Sequence, residues 1–188
     1  MSSSILVYQA KSFYNAYIAL EQINRADDQG PLLIAPIIVN GAFSVELALK
    51  AILEKNQIEY GKEHNLFVLY SLLPESFQSE LFNHLVEKAP EYENAKKCFD
   101  ELVLISNAFV DWRYVYEDNP TPAFDIRFLS AFANAAIWTM LSHYNGNFVP
   151  VTDTTETDEE IERLFEENRA ECIDANLKKI KKKLKKGN

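Results

Sequence analysis

The stretch Phe43-Ser-Val-Glu-Leu-Ala-Leu-Lys-Ala-Ile-Leu53 sets two opposite charges inside an otherwise apolar run. Glu46 and Lys50 stand four residues apart, so a helix puts them on one face, where they can pair. Val45, Leu47, Ala48, Leu49 and Ile52 surround them, which makes that face partly buried. Charged groups in such a place cost free energy unless they meet one another or a ligand. Two further stretches share this character: Glu63-His-Asn-Leu-Phe-Val-Leu-Tyr-Ser-Leu-Leu-Pro74 and Phe109-Val-Asp-Trp-Arg-Tyr-Val-Tyr-Glu117.

Outward from this core the chain reads as helix after helix. The charged run belongs to a helix from about Leu32 to Asn56, apolar all round in its early part and therefore central, with Pro36 either in its first turn or at a kink. Before it, Leu6, Ala10, Phe13, Tyr14, Tyr17, Leu20 and Ile23 trace one stripe between Ile5 and Arg25. After it come a short helix capped by Asn65 and closed by Pro74, and a helix over Glu75–Lys88. A longer one spans about Tyr92–Glu117 with Phe99, Leu102, Val103, Ser106, Phe109 and Val110 in register. Asn119-Pro-Thr-Pro122 is a breaker, Asp125 caps a last bundle helix running to Tyr144, and Asn145-Gly146 stops it. No segment alternates with period two. The expected fold is all-α, an antiparallel up-and-down bundle of about five helices over residues 1–146. A linker at 147–157 and a charged C-terminal helix with a lysine-rich tail at 158–188 complete the expected organisation.

The 47% apolar and 12% aromatic content over 188 residues supports a packed core and excludes a disordered chain. Seven of the 19 basic residues lie between Lys178 and Lys186, so the rest sets twelve against 28 acids. An acidic body repels nucleic acid at long range, and the tail is the one local basic patch. Acids early in the last helix and lysines late suit its dipole, and pairing of two such helices predicts a salt-sensitive oligomer. Cys98 and Cys172 form no metal-ligand spacing and read as reduced thiols. With no signal peptide and no long apolar run, the expectation is a cytoplasmic protein without membrane contact.

No phosphate-binding glycine loop, zinc motif or nucleophile elbow is present, so neither a metal nor a cofactor is expected. The candidate polar pocket consists of Glu46, Lys50, His64, Trp112, Arg113 and Tyr116. Arginine beside aromatics suits stacking on a base or gripping a phosphate, and suits equally a guanidinium lying across core rings. His64 is placed to exchange protons or to serve as a hydrogen-bonded structural residue.

The Val45-Glu-Leu-Ala-Leu-Lys50 core, followed by Glu63-His-Asn-Leu66 and Leu72-Leu-Pro74, resembles the HEPN domain family. Trp112-Arg-Tyr114 strengthens the resemblance, which covers about Ile5 to Tyr144. It implies a compact helical bundle from prokaryotic defence, stress or toxin–antitoxin systems, often beside a nucleotidyltransferase or an antitoxin. Many members are homodimeric, metal-independent RNases with an arginine followed after four to six residues by a histidine; none of Arg25, Arg113, Arg127, Arg163 and Arg169 has one there. Asp118, Asn119 and Pro120 stand where the histidine after Arg113 belongs. The resemblance therefore implies a non-catalytic homodimer, with catalytic residues none, that binds a partner protein, a nucleotide or RNA. The alternative it leaves is a divergent ribonuclease that uses Arg113 with His64.

Overall fold

In the computed structural model, which describes residues 3–26, 33–113 and 125–144, the charged helix is α2 (Ile34–Lys55) and the fold is arranged around it. Four other helices pack on α2: α1 (Ser3–Ala26), α3 (Leu66–Ser71), α6 (Ala108–Arg113) and α7 (Ile126–His143). Helix α4 (Glu75–Lys88) packs on α7, and α5 (Ala95–Leu104) lies against α3 and a 3-10 turn at Pro90–Tyr92. The described residues contain no strand, and the protein is an all-α bundle.

The part of α2 enclosed on all sides is the later one, an unbroken buried run from Ser44 to Leu53, not the early turns. The early turns keep Pro36 exposed, and Pro36 is the third residue of the helix, where its missing N–H removes no helix bond. By length and composition α2 could cross a membrane, but 78% of its most apolar window is buried inside the bundle. Gly41 sets how close α1 comes: a Cβ there would stand 3.1 Å from the Tyr17 ring and 3.4 Å from Leu129. Phe43 stacks on Phe109 at 4.5 Å and meets Phe13 edge-on at 4.6 Å, an aromatic cluster through which α2 holds both α6 and α1.

The helix expected over Tyr92–Glu117 is in fact divided. Asn94 caps α5 by accepting from the Lys97 N–H at 3.0 Å, and the chain breaks between Leu104 and Ala108 before α6 begins. The break carries no glycine or proline. It is held by α3, whose Leu66 N–H donates to the Ser106 carbonyl at 2.8 Å, while the Asn65 amide donates to Asn107 Oδ1 at 3.0 Å. An orphan donor at the start of α3 thus gains an acceptor only because the later helix opens. The interruption turns Phe99, Val103 and Val110 outward, contrary to the continuous register, and Ile23 is exposed as well. Leu102, Ser106, Leu81 and Leu85 are buried as their spacing implies. The linker and the charged C-terminal helix expected at 147–188, together with Cys172, lie outside the described residues.

Candidate functional site

Glu46 is 1% exposed, and both polar partners found for it share a single carboxylate oxygen. The Lys50 ammonium donates to Glu46 Oε1 at 2.7 Å, one helical turn along α2. His64 Nδ1 lies 2.9 Å from the same oxygen, reaching it from the loop before α3. Since a carboxylate only accepts, Nδ1 carries the proton in this contact. Glu46 Oε2 is buried without a hydrogen-bond partner. The Lys50 ammonium also lies over the Tyr60 ring, 5.5 Å from its centre, so the cation has an aromatic face as well as an anion for company.

The loop that delivers His64 is itself constrained. Glu63 Oε1 accepts from the N–H groups of both His64 and Asn65 at 2.8 Å, and these two bonds hold the Glu63 carboxyl below the usual range. Asn65 then caps α3 by accepting from the Val68 N–H at 3.0 Å. With its backbone fixed on both sides, His64 presents a side chain that is 54% exposed, anchored inward at Nδ1 and open to solvent beyond.

The structure brings Glu46, Lys50 and His64 together, three of the six residues of the candidate pocket. Trp112 is half-buried on α6, a helix that packs on α2. Arg113 ends α6, and its side chain lies outside the described residues, as does Tyr116. Chemically, the arrangement is a histidine oriented by a buried carboxylate. That geometry serves either to pin a loop or to hold a ring nitrogen ready for proton transfer.

A second polar cluster was not legible in the sequence. Glu80 on α4 accepts from the Ser142 hydroxyl at 2.7 Å and faces His143 Nε2 at 2.6 Å, with His84 one turn away. Burial pushes the Glu80 carboxyl up, but the bonds from His143 and Ser142 outweigh it and leave it lowered. The pair spans 63 residues, beyond any local spacing rule. Among the described residues no group of three or more His, Cys, Asp or Glu side chains is placed to hold a metal ion. Burial pushes the Cys98 thiol up to about 11, so it is a poor nucleophile at neutral pH.

No protein-family model matches the chain, and no curated protein or solved structure matches it either.

Proposed function

We propose that the chain is a HEPN-like helical protein that binds rather than cuts, acting as a homodimer on a partner protein, a nucleotide or RNA in a defence, stress or toxin–antitoxin setting. The observation that carries this reading is the division of Glu46 Oε1 between Lys50 and His64. The most buried acid of the pocket is committed to tying α2 to the loop before α3, which is a structural task. The absent histidine after Arg113 supports the same view from the sequence. A protein partner, such as an antitoxin or a nucleotidyltransferase, is further supported by exposed Val68 on α3 and Leu72 just after it, and by exposed Phe99, Val103 and Leu104 on α5.

A second reading rests on the same histidine. A ring held at Nδ1 by a carboxylate and exposed beyond it has the orientation a general base needs, so a divergent ribonuclease using His64 with Arg113 is the competing function. The two are separated by incubating structured and single-stranded RNA with the wild type, Arg113→Ala and His64→Ala in chelator. Binding without cleavage above a buffer control is the expected outcome. Cleavage by the wild type that both variants abolish would transfer the proposal to the ribonuclease.

A further inference from the structure

A cavity of about 350 Å³ lies between α3, α4 and α5, and none of its lining residues belongs to the Glu46 network. That volume falls within the range of small-molecule sites. Two of its walls are helical stripes. On α4, Glu75, Gln78, Ser79 and Phe82 stand at the i, i+3, i+4 and i+7 positions of one face. On α5, Ala95, Cys98, Phe99 and Leu102 repeat the same spacing. Each helix has its own support, α4 on α7 and α5 on α3 and the 3-10 turn, so the two stripes are left lining the space between them. Leu81, Leu85, Leu102 and Phe132, none more than 3% exposed, close the floor. The surface left for a ligand is mainly aromatic: Phe67, Tyr70 and Phe82 are half-buried and Phe99 is exposed. Phe67 meets Phe99 edge-on at 5.1 Å, and the Tyr70 ring lies 6.1 Å from that of Phe132, so these rings hold one another in place.

One end has another chemistry. Among the described residues Glu75 is the only charged one that lines the cavity, and its exposed carboxylate has no hydrogen bond or ion pair there. It therefore meets a ligand without first giving up a partner. Gln78 Nε2 is engaged, donating to the Leu73 carbonyl at 2.8 Å, which leaves Oε1 to accept. The exposed Ser79 hydroxyl accepts as well. Three acceptors within about one helical turn match the three N–H donors of a primary ammonium, and aromatic faces nearby attract the same cation. None of the described residues that line the cavity is basic, so nothing there receives an anion. At about 30 Å³ for each water-sized group, the cavity holds about a dozen non-hydrogen atoms. From Glu75 to Phe82 the helix rises about 10 Å, room for an ion-pair contact and a short alkyl chain before the ring.

We propose that this cavity binds a small arylalkyl amine, with the ammonium at Glu75, Gln78 and Ser79 and the ring among Phe67, Tyr70, Phe82 and Phe99. Calorimetric titration of the full chain with two matched pairs tests it: tryptamine against tryptophol, and phenethylamine against 2-phenylethanol. Each alcohol keeps the ring and chain of its amine and lacks only the charge. In at least one pair the amine binds saturably and about fivefold or more tighter than the alcohol. Glu75→Gln, at an exposed position, keeps the melting temperature and erases that preference by weakening the amine alone. Phe99→Ala, also at an exposed position, weakens amine and alcohol alike, as loss of a ring contact requires. An amine that binds no tighter than its alcohol in both pairs, a preference that survives in Glu75→Gln, undiminished affinity in Phe99→Ala, or no saturable binding of either amine at millimolar concentration would overturn it.

Discussion

Glu46 has one oxygen divided between two donors of unequal burial, and the two contacts carry different weights. Lys50 is buried, bonded to Glu46 and placed over the Tyr60 ring. His64 is half in water, so its bond to Glu46 is worth about 1 kcal/mol, the ordinary net value for one hydrogen bond. His64→Ala is therefore expected to unfold in urea only slightly earlier than the wild type. A loss of several kcal/mol would mean that His64 is a core residue, against its exposure. Asn65→Ala has a larger expected cost, about 2 kcal/mol, since it removes both the cap on the Val68 N–H and the bond to Asn107. Its effect belongs to the start of α3, and hydrogen exchange there should quicken first.

At the scale of elements, helix ends and close approaches decide the arrangement. Asp125 caps α7 while its two oxygens also receive the Arg127 side chain and the hydroxyl of fully buried Tyr92. The Arg127 guanidinium beside it, helped by Tyr92, holds the Asp125 carboxyl down at about 2. A carboxyl lowered in the folded state stabilises the fold above its unfolded value, near 4, and that stabilisation fades as pH falls toward 2. Asp125→Ala should cost about 2 kcal/mol at neutral pH, and the gap to the wild type should close over that acid window. A gap that stays constant with pH would show that the cap acts without its charge. Gly41→Ala gains helix propensity but drives a methyl to 3.1 Å from the buried Tyr17 ring. We expect a net loss of about 1 kcal/mol, read as a lower melting temperature. These elements differ in how openly the sequence announces them. The caps at Asn65 and Asp125 and the span of α4 follow from local residues and are found where the sequence puts them. The break before α6 does not follow, because Ile105-Ser-Asn107 is locally compatible with helix and opens only to satisfy α3 from a distance.

Across the whole molecule, polar contacts join segments that are remote in sequence. The Lys55 ammonium donates to the His143 carbonyl and lies 4.7 Å from the Tyr144 ring centre, while the Tyr144 hydroxyl donates to the Ala51 carbonyl at 2.8 Å. With Glu80 on His143 and Ser142, these contacts tie the ends of α2 and α7 to each other and to the middle of α4. None was legible in the sequence, because each joins residues far apart in the chain. The Glu46–Lys50 pair was legible from spacing, whereas its link to His64 required the fold to bring a loop back onto α2. The central claim is that this buried network is a structural clamp. Equilibrium unfolding of Glu46→Leu, Lys50→Met and the double variant measures it most directly. Each single change should cost about 3 kcal/mol by stranding a buried charge, and the double change should cost less than either, because no charge is then left unpaired. Two single losses that simply add in the double variant would contradict the clamp.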